Sequence, residues 1–317
     1  MDRKAYNRGI IESFPRSGAE ILGSTPKSIL RHDKNYELFL PSIENQYREY
    51  FDSKACVTFS AWNCIETAVK CKYGLQINKS DRFTAKISGT DIFGGNYLER
   101  VYDYIREHFS VDESEYPFEP QTASINQIND AFQIYYKPLT PELVSKAHLQ
   151  KAQGNWDVSA WWVGWGGNIQ PIDIWNALAY GPIQATVYTW GPLVNGIYQR
   201  ANTNEITHAI MIYGGSFGNF FNIFDHYDNT YKKLSWNYYF SSAFQYSVNC
   251  NTMLKLIKGD ARSEIYALGN DGKLRHIGGE GSFIDGIAAG IFGGVIETRP
   301  QNEIDAMPKG SVWGAIK

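Results

Sequence analysis

No run of five basic residues occurs in this 317-residue chain; its 30 Lys and Arg are scattered among 33 Asp and Glu, for a formal net charge of −3. That balance offers no footprint for nucleic acid or for an anionic membrane surface, so neither is expected as a partner. No stretch of 18 apolar residues occurs either. The most apolar late segment, FIDGIAAGIFGGVI at 283–296, is short, glycine-rich and interrupted by Asp285, which argues against a transmembrane helix. The first twenty residues carry charges but no apolar run of seven ahead of a small-residue cleavage site, so no secretory signal is expected. Cysteine is scarce: Cys56, Cys64, Cys71 and Cys250 are too few to staple a scaffold and lack the paired spacing of a metal site. Reduced thiols in a cytoplasmic or virion-associated setting are the expectation, with no metal and no cofactor.

Aromatic residues, by contrast, make up 15% of the chain and include 21 Tyr, enough to line both a core and a groove. Residues 1–40 are mixed and polar, with Pro15, Pro26 and a charged HDKNYE stretch, and read as an arm with little regular structure lying over something larger. From Cys56 to Tyr73 the residues Phe59, Trp62, Ile65 and Val69 recur at steps of three and four, and Gly74 follows as a stop. This predicts a buried helix headed by Cys56. A second helix is predicted over 95–109, where Leu98, Val101, Tyr102 and Ile105 share a face, a third from about Pro141, and a short one within 173–181. The segment 120–170 shows little other periodicity, and its AWWVGWGG at 160–167 reads as a hydrophobic wall or loop rather than a carbohydrate platform.

After residue 181 the text becomes strand-like: PIQATVYTW, NGIYQ, ITHAIMIYGG and NFFNIFDHYD are β-branched or aromatic and are separated by Gly, Pro and Asn. Helices first and antiparallel strands second point to an α+β domain of two halves with a cleft. Beyond Cys250, GDARSEIYALGNDGKLRHIGG reads as two strands joined at Asn270-Asp271-Gly272. A small β-rich module over 256–317 is expected.

A thiol at a helix N-terminus meets the partial positive charge of unpaired backbone N–H groups, which favours the thiolate. Cys56 is so placed. Acyl transfer from an amide also requires a proton for the leaving amine, hence an imidazole. His208 opens an apolar strand, whereas His32, His108 and His148 stand in charged or helical contexts and His276 falls in the C-terminal module. His226 competes, but strand alternation would turn it to the face opposite Asp225.

Several segments then resemble the papain-like cysteine peptidases in order, over about 41–255. These are IENQ at 43–46, CVTFS at 56–60, GGNYLERVYDYIREHFSVDESEYPF at 94–118, YGPIQATV at 180–187, NGIYQ at 195–199, THAIMIYG at 207–214 and FFNIFDH at 220–226. The interval from Cys56 to His208, 208 − 56 = 152, is close to the roughly 130–150 residues separating that family's Cys from its His and Asn. The resemblance implies a two-lobed papain-like fold and peptide-bond hydrolysis of a peptide or protein substrate. It gives Cys56 as nucleophile, His208 as general base and acid, Asp225 in the place of the Asn that orients the imidazole, and Gln46 as oxyanion donor. Gly94 and Gly95 match the pair that hydrogen-bonds an extended substrate backbone.

Four departures from the family stand out. Gln46 and Cys56 are ten residues apart, about four more than usual, so the intervening YREYFDSKA has to bulge. Ser53 replaces a disulfide-forming cysteine. The Trp that normally follows the orienting residue is delayed to Trp236, which leaves the His208–Asp225 contact without its usual shield. The N-terminal 40 residues are shorter than the family's inhibitory propeptide. Two other readings stand beside peptide hydrolysis. One is a non-catalytic papain-like structural or binding protein of a virion or bacterial surface, with the C-terminal module, which loosely resembles repeats of bacterial surface and phage structural proteins, docking an assembly partner. The other is an amide hydrolase acting on peptidoglycan cross-links.

Overall fold

The computed structural model describes residues 9–16, 28–42, 44–48, 51–119, 128–250, 254–268, 274–277 and 292–309. They form two compact units, one of residues 1–72, 76–152 and 157–248, the other of 73–75, 153–156 and 249–317.

In the first unit a short hairpin, β1 (Tyr47–Arg48) with β2 (Phe51–Asp52), leads into α1 (Cys56–Tyr73). Helix α1 is buried on every side from Cys56 to Val69, as expected of a central helix with apolar or small residues on most of its surface, and its buried Asn63 and Glu66 have polar partners in His226 and the Lys79 N–H. Gly74 ends it at φ +64°, the left-handed turn that glycine supplies without strain. Helices α2 (Asp81–Ile87), α3 (Leu98–His108), α4 (Ile128–Tyr135) and α5 (Pro141–Gly154) follow. Leu98, Val101 and Ile105 form the buried stripe of α3. Arg82 on α2 is 1% exposed. Its guanidinium donates to the carbonyls of Tyr135 and Pro117 and lies over the rings of Tyr116 and Tyr135.

The Trp-rich segment is a strand, β3 (Trp156–Gly164), with Trp156, Trp161 and Trp162 buried. Then come α6 (Pro171–Ala177), β4 (Ile183–Val187), β5 (Leu193–Val194), β6 (Ile197–Tyr198), β7 (His208–Ser216), β8 (Phe220–Asp225), β9 (Thr230–Ser235) and β10 (Ala243–Cys250). One eight-stranded sheet takes them in the order β3-β10-β4-β7-β8-β9-β6-β5. Its central strands pair antiparallel, with Val187 opposite His208 and Asp225 opposite Thr230. The architecture is α+β: helices α1 to α5 precede the first strand of the large sheet, whose central strands are antiparallel and in which β6 pairs parallel with β9.

Residues 9–16 add no helix or strand, only an isolated parallel bridge between Ile10 and Asn96. In the second unit, β11 (Leu254–Gly259), β12 (Ile265–Leu268), β13 (Leu274–His276) and β14 (Phe292–Arg299) form a sheet in the order β13-β12-β11-β14, followed by α7 (Gln301–Ala306). Ile257, Leu274 and Ile304 make its small core. Strands β12 and β13 pair antiparallel; the Asn270-Asp271-Gly272 turn lies outside the described residues, as do most of 283–296.

Candidate active site

Cys56 is the first residue of α1 and is fully buried. Its turn is anchored to the sheet. Ser60 Oγ donates to the Cys56 carbonyl at 2.7 Å, and Gln184 Nε2 donates to Ser60 Oγ and to the Val57 carbonyl, both at 2.7 Å. Gln184 lies on β4, three residues before Val187, the partner of His208 in β7. A polar side chain inside the apolar run PIQATV has to find a buried partner. That signal was available in the sequence, but the partner was not.

His208 and Asp225 are both 0% exposed, with His208 Nε2 2.8 Å from Asp225 Oδ1. An ionised carboxylate only accepts, so Nε2 carries the proton of this bond and Nδ1 is the basic nitrogen. Asp225 Oδ1 also accepts the Tyr227 N–H at 3.1 Å, and Oδ2 accepts Lys232 Nζ at 2.8 Å. Burial disfavours the Asp225 carboxylate, but the charges of His208, Lys232 and His226 and the His208 hydrogen bond outweigh it. The carboxyl is held well below its ordinary range.

The shield absent from its usual place comes from elsewhere. Trp236 stacks on Phe221 at 4.9 Å, whereas Trp190 meets His208 edge to face at 6.1 Å and has Lys232 Nζ 5.4 Å from its ring centre. Nothing in the sequence marked Trp190 or Lys232: Lys232 reaches Asp225 across the β8–β9 pairing, seven residues on, and Trp190 comes from the connection after β4.

His226 departs from the alternation argument. Strand β8 ends at Asp225, so His226 belongs to the turn and is not forced to the opposite face. Its ring lies 5.1 Å from that of His208 and stacks on Phe59 at 5.5 Å, with Nδ1 3.5 Å from Asn63 Nδ2. Cys56, Phe59 and Asn63 share one face of α1. Cys56 therefore heads the helical stripe that meets the His226 imidazole, whose other neighbour is the His208 ring.

Gln46 is fully buried. The β1–β2 hairpin absorbs the extra residues and closes at its base, where the Gln46 carbonyl accepts the Ser53 N–H at 3.3 Å and Ser53 Oγ at 3.1 Å. Gln46 Nε2 donates to Asp52 Oδ1 at 2.9 Å, and that oxygen also takes the Lys54 N–H at 2.8 Å. The amide is thereby fixed against the β2 side of the pair.

Gly94 and Gly95 behave differently from the expectation drawn for them. The Gly94 N–H goes to Asp91 Oδ1 at 2.9 Å, and Gly95 exchanges both backbone bonds with Asp91. The edge open to an extended chain falls one residue later, at Asn96, and the protein's own N-terminal segment lies on it. The Asn96 N–H donates to the Gly9 carbonyl at 3.0 Å, and the Ile11 N–H donates to the Asn96 carbonyl at 2.8 Å. Ser13 Oγ then accepts the Leu98 N–H at 2.9 Å, capping α3, and Ser242 Oγ donates to the Ser13 carbonyl at 3.0 Å. The segment is thus held on one side by the α3 region and on the other by the start of β10.

The chain is similar to solved protease structures. One is the bromelain protease from Ananas comosus in complex with the E64 inhibitor, 13% identical over 70% of this chain and 99% of that one, TM-score 0.47. Another is the digestive procathepsin L2 proteinase of the Tenebrio molitor larval midgut, 15% identical over 77% and 78% of the two chains, TM-score 0.49. A third, from work on the mite allergens Blo t 1 and Der p 1, is 12% identical over 78% of each chain, TM-score 0.49. No family model and no curated protein matches the sequence. Among the described residues no cluster of His, Cys, Asp and Glu suits a metal ion, and no helix is long and apolar enough to cross a membrane.

Proposed function

We propose that this protein is a papain-like cysteine peptidase working through Cys56, His208 and Asp225. The observation that carries the reading is the buried 2.8 Å His208–Asp225 contact, linked through the His226 ring to Phe59 of the helix that Cys56 heads. The α1 N-terminus favours a thiolate at Cys56, and His208 Nδ1 is the nitrogen left to hold the thiol proton. The thiolate attacks the scissile carbonyl while the Cys56 N–H and the Gln46 amide receive the oxyanion. His208 passes its proton to the departing amine, giving a thioester. It then takes a proton from water, whose oxygen displaces Cys56 and releases the acid.

An incoming peptide would add to the Asn96 edge as a strand, with Gly94 and Gly95 beneath it, and has to displace residues 9–13 to do so. That occupancy also favours a second reading, a non-catalytic scaffold whose cleft is permanently filled by its own arm. Brief treatment with a peptidyl epoxide, followed by peptide mapping and a peptide-cleavage assay, separates the two. Enzyme function predicts modification at Cys56 that is lost in His208→Ala. A folded protein with unreactive Cys56, with and without the arm, would leave the scaffold reading. The second unit is proposed to be dispensable for this chemistry, since every residue of the mechanism precedes 249.

A further inference from the structure

Asp225 has a partner on each oxygen, the His208 imidazole on Oδ1 and the Lys232 ammonium on Oδ2, each at 2.8 Å. Lys232 is 9% exposed and also pairs with Asp228 at 2.7 Å, a residue that is half exposed. Its ammonium lies 5.4 Å from the centre of the Trp190 ring, the ring that also meets His208 edge-on. Lys232 is therefore held against Asp225 by a carboxylate on the outside and an aromatic face along its flank.

An ionised carboxylate beside an imidazole stabilises the imidazolium, whereas a neutral amide in the same place orients the ring and adds little charge. Taken alone, Asp225 would tie His208 to the protonated state. The ammonium on its other oxygen cancels that charge at short range. We propose that Lys232 is a positioning residue that neutralises Asp225, so that the Asp225–Lys232 pair acts on His208 as a neutral orienting group does. The inference rests on the proposed peptidase reading for its catalytic meaning, but not for its test.

The titratable groups around His208 are Asp225 on β8 and His226 and Tyr227 in the turn after it, with Lys232 on β9 across Asp225 and Asp228 behind Lys232; in the proposed mechanism the Cys56 thiol joins them. Among them Lys232 can be altered without touching the orienting hydrogen bond. It also accounts for an acid being tolerated there: with His208 neutral, a lone buried carboxylate would lose its counter-charge, whereas Lys232 supplies one in both protonation states.

The test is the titration of the His208 ring protons by NMR in the full chain, alongside the pH profile of iodoacetamide labelling at Cys56, for wild type, Lys232→Met, Asp225→Asn and the double variant. Lys232→Met should move the His208 midpoint and the alkaline limb of labelling upward by about one pH unit, as expected for removing one nearby charge. Asp225→Asn, which leaves Lys232 uncompensated, should move both downward. The double variant should return close to wild type, and Lys232→Arg, which keeps the charge, should stay there. If Lys232→Met fails to fold, the difference between Asp225→Asn and the double variant measures the same charge. Equal midpoints in either comparison overturn the proposal. NMR shifts in the expected order with a Cys56 that never labels would retain the electrostatic role and remove the peptidase reading instead.

Discussion

Gly9 and Gly95 touch backbone to backbone: a Cβ built on Gly95, whose φ is +78°, would stand 1.8 Å from the Gly9 carbonyl carbon. Gly9, at φ +112°, lies equally close to the other wall, where its Cβ would fall 2.0 Å from the Lys54 carbonyl oxygen, two residues before Cys56. Only a pair of glycines allows an arm to run this near the head of α1.

Gly9→Val should therefore dislodge the arm without disturbing the sheet. The two backbone bonds to Asn96 are each worth about 1 kcal/mol, so Cys56 labelling by a peptidyl epoxide should accelerate by about tenfold or more. Rates measured on folded wild type and variant decide this. An unchanged rate would mean that the arm does not limit access.

Thiol selectivity offers a second check. Burial pushes the Cys64 thiol well up, and it pushes Cys71 up to about 11 against the opposing pull of Arg31. Neither forms appreciable thiolate near neutral pH, so haloacetamide at pH 7 should modify Cys56 first. Mass mapping after brief exposure that found Cys64 or Cys71 ahead of Cys56 would remove the nucleophile assignment.

Glu66 on α1 is buried, and its Oε1 accepts the Lys79 N–H at 2.8 Å. Desolvation, then the charge of Glu44, raises its folded-state pKa well above the usual 4.5. A raised carboxyl contributes stability that is full below the unfolded value and is lost as pH rises through the folded one. Glu66→Gln keeps the acceptor and removes that loss. Its thermal midpoint should exceed wild type at pH 8 by more than at pH 5, and parallel pH dependences would contradict this.

Arg82 binds the helices of the first unit through two backbone carbonyls. Arg82→Met leaves both acceptors buried without it and should cost about 3 kcal/mol in denaturant unfolding. A loss under about 1 kcal/mol would show that water or neighbouring side chains replace the guanidinium.

The sequence by itself determined the α+β order, the helix headed by Cys56 and the strand opened by His208. Each rests on local periodicity, and periodicity is set by side-chain direction along a helix or strand. It also marked Asp225, through the resemblance of its surroundings to one family. The Trp-rich β3 is not legible as a strand because it is largely buried and shows no clean polar alternation over Trp156–Gly164. His226 does not follow the strand alternation because alternation holds only while the strand lasts, and β8 stops one residue earlier. Lys232 sits in TYKKLS, a stretch that locally reads as a solvated edge. That its ammonium reaches Asp225 was decided by the β8–β9 pairing; that Trp190 rather than Trp236 covers His208, and that Gly9 lies on the Asn96 edge, were decided by tertiary structure alone. In each case the contact joins segments whose sequences encode which face is apolar, whereas the partner of that face is chosen by the packing of the whole unit.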